Sequence, residues 1–99
     1  MFLHVAVRDN DYEWVQTLLQ EAQKPDVIEY SLHRHPLHLA IRQGSLRITE
    51  LLLEYGASHE MRNKNGRDPL EEAEDNQKYT VRKAMERKLE AMYIRQFHT

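Results

Sequence analysis

Three histidines, His33, His35 and His38, fall within six positions near the middle of the chain. Imidazoles this close could share a zinc ion, which in a closed site takes four ligands. Neither a cysteine nor a carboxylate interleaves with them, so a metal is not expected. Two carboxylate pairs, Glu71/Glu72 and Glu74/Asp75, are raw material for acid–base catalysis. A working pair needs an apolar pocket that drives the two pKa values apart. These pairs sit in a polar run and are expected on a solvent-facing surface. The chain has no cysteine nucleophile. Ser31 and Ser45 fall at a loop tip and a helix start, and no glycine-rich phosphate loop is present. The sequence therefore predicts neither an enzyme nor a cofactor site.

The elements that hold these residues are short helices. His35 to Gly56 reads as two of them joined by a tight turn. Pro36 suits a first helical position, where a missing N–H costs nothing. Leu37, Ala40 and Ile41 follow at helical spacing, and Gly44 ends the helix. Ser45 is placed to cap the next one. Leu46, Leu51, Leu52 and Leu53 give it an apolar face, and Gly56 closes it. Neither helix is long enough to stand alone, so the unit must repeat. Pro36-Leu37 recurs as Pro69-Leu70, 33 residues on, and Leu3-His4-Val5-Ala6 precedes Leu37-His38-Leu39-Ala40 by 34.

A helix–turn–helix unit at this period is the mark of the ankyrin repeat. His35-Pro-Leu-His-Leu-Ala40 resembles the Thr-Pro-Leu-His-x-Ala core of that family. Leu51-Leu-Leu-Glu-Tyr-Gly-Ala-Ser58 resembles the end of its second helix. Asn63-Lys-Asn-Gly-Arg-Asp-Pro-Leu70 resembles the turn that opens the next unit. The resemblance implies an all-α solenoid of about three units, with short β-hairpin-like fingers and a long C-terminal helix. The units divide as 1–29, an N-terminal cap; 30–62, a central repeat; and 63–99, a C-terminal cap.

In unit one, helices are expected at about 2–8 and 12–22. Asn10 takes the turn position that Gly44 holds in unit two, since Asn tolerates left-handed backbone. Asp11 is the expected cap, and Trp14 an end-of-stack core filler. His35 replaces the family's capping Thr and should cap poorly. The family position accounts for His38 as a buried structural residue. The finger at 63–66 is expected as a two-residue hairpin with Asn65-Gly66 at its centre, and Asp68 as the cap of the helix after it. Glu71 and Glu72 stand where relatives bury His and Leu. They are expected on the polar outer side of a terminal cap, with Leu70 and Ala73 packing inward.

The last helix, about 78–97, outruns the repeat. Val81, Met85, Leu89, Met92, Tyr93 and Phe97 form one apolar stripe. It should pack on unit two as far as Glu86. Beyond that, three fates are open: the extension folds back over the stack end, it begins a longer protein, or Leu89, Met92, Tyr93 and Phe97 pair with a second copy of the chain. Its charged face is expected to be solvated and laced by i,i+4 pairs such as Glu86 with Arg82.

Charge is unevenly spread. The net is −2, from 14 basic and 16 acidic side chains, yet residues 31–66 carry five basic and three acidic. The net sign argues against nucleic acid as a partner. No run approaches a membrane span, the first residues do not read as a signal peptide, and the lack of cysteine fits an intracellular compartment, cytoplasm or nucleus. In ankyrin stacks the fingers and first helices line a concave face that meets the partner. Carried over by repeat position, that face here holds Arg8, Leu32, Arg34, Arg42, Gln43, Lys64, Asn65 and Arg67. The expected function is non-catalytic protein–protein interaction, with an acidic segment as partner and Arg42 central.

Overall fold

The computed structural model describes residues 2–21, 35–75 and 78–97, with the backbone alone at Phe2, Asp75 and 95–97. Six helices follow in order: α1 (Phe2–Arg8), α2 (Tyr12–Gln20), α3 (Pro36–Gln43), α4 (Leu46–Glu54), α5 (Pro69–Asp75) and α6 (Tyr79–Phe97). They pair as three hairpins. α1, α3 and α5 form one row, each touching the next, and α2, α4 and α6 form a second row. Among the described residues there is no strand.

The first two hairpins turn where a residue accepts positive φ. Asn10 at φ 56° and Gly44 at φ 74° do so in the first two units. Asp11 caps α2 by accepting a hydrogen bond from the Trp14 N–H at 3.1 Å. Ser45 does not cap α4 through its side chain. Instead its carbonyl accepts from Thr49 Oγ1 at 2.8 Å.

The core runs between the rows. Leu3, Val7, Val15, Leu37, Ile41, Ile48, Leu52, Leu53 and Met85 are buried, and Trp14 packs half-buried at the end of the stack. Each fully buried aliphatic side chain contributes about 1.5–3 kcal/mol relative to exposure. Leu46, expected in the α4 face, is only half-buried. On α6, Val81 and Met85 are buried against the stack, Leu89 and Met92 pack half-buried on its edge, and Tyr93 and Ile94 are exposed. The repeat thus covers the stripe nearly two turns further than Glu86, as far as Met92. Arg82 pairs with Glu86 at 3.0 Å, as the sequence suggests, and with Glu74 at 3.3 Å.

Candidate functional site

The finger between α4 and α5 positions the site. Gly66 N–H donates to the Asn63 carbonyl at 2.9 Å, and Asn63 N–H donates to the Arg67 carbonyl at 3.0 Å. The turn is therefore centred on Lys64-Asn65, not on Asn65-Gly66. Gly66 follows it in the left-handed region at φ 76°. This is the three-residue form, a turn closed by a left-handed glycine, and it spares Asn65 a positive φ. The Asn63 side chain supports the loop: its Oδ1 accepts from the N–H groups of Asn65 at 2.9 Å and Arg67 at 3.1 Å.

Three contacts hook the finger to the helices. His38 is 3% exposed, and its Nε2 lies 2.9 Å from the Arg67 carbonyl. A carbonyl only accepts, so Nε2 carries the proton. Burial away from water pushes the His38 pKa below its ordinary value, against the raising pull of the Arg67 carbonyl and the Glu72 charge. Arg62 donates from Nη1 to the Gly66 carbonyl at 2.7 Å and to Glu71 Oε1 at 3.2 Å. Asn63 Nδ2 donates to Glu72 Oε2 at 3.3 Å.

Glu71 is on the exposed side as expected, and Glu72 is not. Glu71 is exposed but bound into a reciprocal cap: its N–H donates to Asp68 Oδ1 at 2.8 Å, and Asp68 N–H donates to Glu71 Oε1 at 3.1 Å. Two otherwise unpaired donors of the helix start are satisfied this way. Glu72 is not on the polar outer side. It is 2% exposed, and its Oε1 lies 3.1 Å from Arg42 Nε on the neighbouring α3. Burial of a carboxylate is costly unless it is paired and hydrogen-bonded, and Arg42 and Asn63 meet that condition.

The candidate face falls into two joined groups. Arg8, Arg42 and Gln43 sit at the C-terminal ends of α1 and α3. Gln43 Nε2 donates to the Arg8 carbonyl at 2.6 Å, bridging the two helices. Lys64, Asn65 and Arg67 are exposed on the finger. The Arg42–Glu72–Asn63 chain joins the groups. Arg8 stands 3.5 Å from Asp9, with both side chains more than half exposed. Leu32 and Arg34 lie outside the described residues, as does His33. Among the described residues no group of three His, Asp or Glu is placed to hold a metal, and no helix is long and apolar enough to cross a membrane.

Arg62, Asn63 and Glu72 were not in the sequence-derived set. The Asn opening the finger turn was a visible signal for Asn63. The pairing of Glu72 with Arg42, 30 residues apart, had none.

Three helical hairpins stacked so that their helices form two rows, with a finger turn described between the second and third, define a helical-repeat solenoid. The chain belongs to the ankyrin-repeat family: the description "Ankyrin repeats (3 copies)" matches residues 3–89. It is 35% identical over 72 residues to potassium channel GORK of Arabidopsis thaliana, covering 73% of this chain and 9% of the channel. It is 35% identical over 91 residues to ARF GTPase-activating protein Git of Drosophila melanogaster, covering 92% of this chain and 12% of that protein. It is 38% identical over 65 residues to 2-5A-dependent ribonuclease of Mus musculus, covering 66% of this chain and 9% of that enzyme. The chain thus spans about a tenth of the length of the relatives it matches. Ankyrin repeats are protein–protein interaction modules, and the family is not itself catalytic.

Proposed function

We propose that this domain binds an acidic segment of another protein on the face formed by the ends of α1 and α3 and by the finger. The observation that carries this reading is that Arg8, Arg42, Lys64 and Arg67 stand on one hydrogen-bonded scaffold. Gln43 ties the two helix ends together, and Asn63 and His38 tie the finger to them. Cations held in place lose less freedom on binding than mobile ones. Arg42 acts here with one side committed. Its Nε faces Glu72 while the side chain stays 57% exposed, so a partner carboxylate meets the outer part of the guanidinium. The carry-over by repeat position adds Leu32 and Arg34, which lie outside the described residues.

The test pairs an acidic peptide of about 12 residues with fluorescence anisotropy at low and high salt. Arg8→Glu with Lys64→Glu should weaken binding about tenfold or more and flatten its salt dependence. Unchanged affinity and salt slope would refute the reading.

A second reading has its own support. Tyr93 is 62% exposed, beside a groove of about 560 Å³ that Leu89 and Met92 share with the loop of Ala57 and His59. Leu89, Met92, Tyr93 and Phe97 would then pair with a second copy, although the Phe97 side chain lies outside the described residues. Light scattering of the intact chain and of one ending at Lys88 decides it, and monomers in both would end this reading.

A further inference from the structure

A second groove runs along the outer row, between α4 and α6, with a volume of about 490 Å³. Its floor is small or apolar: Leu46 from α4, and Thr80, Ala84 and Ala91 from α6. The α6 floor residues span 11 positions, about 16 Å or three helical turns. Its rim is charged and asymmetric. Lys83, Arg87 and Lys88 stand on the α6 side, and Glu50 on the α4 side.

The rim cations divide into two kinds. Lys88 pairs with Glu54, just as Arg82, their neighbour on α6, pairs with Glu74 and Glu86. Lys83 and Arg87 are exposed and have no carboxylate partner among the described residues. In a chain of net charge −2, two uncompensated cations over an apolar floor form a local field of the opposite sign.

Ile94 adds an independent observation. It lies on the stripe Thr80, Ala84, Arg87, Ala91, one turn beyond Ala91, and is 47% exposed. The core uses a different stripe of α6, through Val81, Met85, Leu89 and Met92. Ile94 is therefore an exposed apolar side chain in line with the groove, just beyond its lining residues, and has no part in the core.

We propose that this groove holds an amphipathic helix of another protein, its apolar ridge on the floor and its carboxylates along the α6 flank. A helix fits because its ridge repeats every three to four residues, as the floor does, and because the walls are helices with no strand edge to extend. Acidic residues fit the Lys83 and Arg87 side, while Glu50 disfavours them on the other, which sets the orientation of the bound helix. This site lies on α4 and α6 and does not depend on the docking face of α1, α3 and the finger.

The test titrates the whole isotope-labelled chain with a synthetic helix of about 15 residues, Leu on one ridge and Glu on one flank. A scrambled peptide of the same composition and anionic lipid vesicles serve as the other probes. Saturable amide shifts at Leu46, Ala84, Ala91 and Ile94 are expected, with the scrambled peptide at least tenfold weaker. Lys83→Glu with Arg87→Glu should weaken binding at least tenfold, as should Ile94→Asp, while both retain the native melting transition. Arg8→Glu with Lys64→Glu should leave this binding unchanged. Absence of saturable shifts, shifts centred on the finger, equal binding of the scrambled peptide, or vesicle binding that the Lys83/Arg87 variant loses in place of peptide binding would each overturn the proposal.

Discussion

Glu72 Oε1 lies 3.1 Å from Arg42 Nε, joining a carboxylate side chain only 3% exposed to a guanidinium 57% exposed. The two residues come from successive repeats, so the pair fixes α5 against α3 and also sets the rotamer of the central arginine of the proposed docking face. Half-exposure of Arg42 keeps the attraction moderate, but the carboxylate it covers cannot return to water. The energetic weight of the pair therefore lies in what its loss leaves behind.

Arg42→Ala is accordingly expected to cost about 1–3 kcal/mol, because it strands a buried charge. Arg8→Ala, whose partner is exposed Asp9, should change stability by less than about 0.5 kcal/mol. Glu72→Leu removes the buried charge along with the pair and should cost less than Arg42→Ala. Urea unfolding of the single and double variants gives the coupling through a double-mutant cycle. A coupling near zero would mean that the pair holds nothing in place.

His38 makes stability depend on acidity. Its folded pKa lies below the ordinary 6.5, chiefly through burial. Between the two values the unfolded chain binds more protons than the folded one, so stability rises with pH there. The contribution is complete above about pH 6.5 and is lost as pH falls through the folded value, at no more than about 1.4 kcal/mol per pH unit. His38→Gln keeps a donor for the Arg67 carbonyl and removes this titration. Denaturant melts from pH 7.5 to 4.5 should show a shallower acid loss for the variant. Equal slopes would remove His38 from the acid response.

The helical hairpins were legible because their signals are local. Pro36, Gly44, Asn10 and Asp11 each state their backbone role within a few residues. Helical spacing alone placed Leu37, Ala40, Ile41, Leu51, Leu52 and Leu53 in the core, while Leu46 proved half-buried and Leu39, Ile48 and Thr49 are buried besides. The finger was located correctly but its centre was misassigned by one residue, since Asn-Gly marks a glycine requirement without saying which turn position takes it. The burial of Glu72 was not legible: charge predicts exposure until a partner is known, and Arg42 lies a full repeat away. The second groove was hidden for the same reason. Its walls come from α4 and α6, and only packing shows that Lys83 and Arg87 have no carboxylate within ion-pair distance among the described residues.

Gly66 should be sensitive through its backbone alone. At φ 76° a side chain is strained, yet an added Cβ would meet nothing within 4 Å. Gly66→Ala is expected to cost about 1–2 kcal/mol and Gly66→Asn less, because Asn reaches the left-handed region more easily. In a domain of this size each kcal/mol lowers the melting temperature by about 4–8 °C. Equal losses for Ala and Asn would point to a steric cause and against the turn geometry.

The long α6 should behave as two segments with different stakes. Met85 is fully buried between the rows, and Met85→Ala leaves a cavity that the fixed helices around it can close only in part. A loss of about 2–5 kcal/mol is expected, enough to unfold a marginal repeat array of three units. Tyr93, eight residues on, is 62% exposed, so Tyr93→Ala should shift stability by no more than about 0.5 kcal/mol. Between them, Leu89 is half-buried against the core, and Leu89→Ala should fall in the middle. Hydrogen exchange along α6 should show the same gradient, with amides near Met85 opening only on global unfolding and those beyond Met92 exchanging by local fraying. If amides at Tyr93 and Ile94 are protected as strongly as those at Met85 in dilute solution, the tail is covered by a second copy, and protection should then fall as the protein is diluted further.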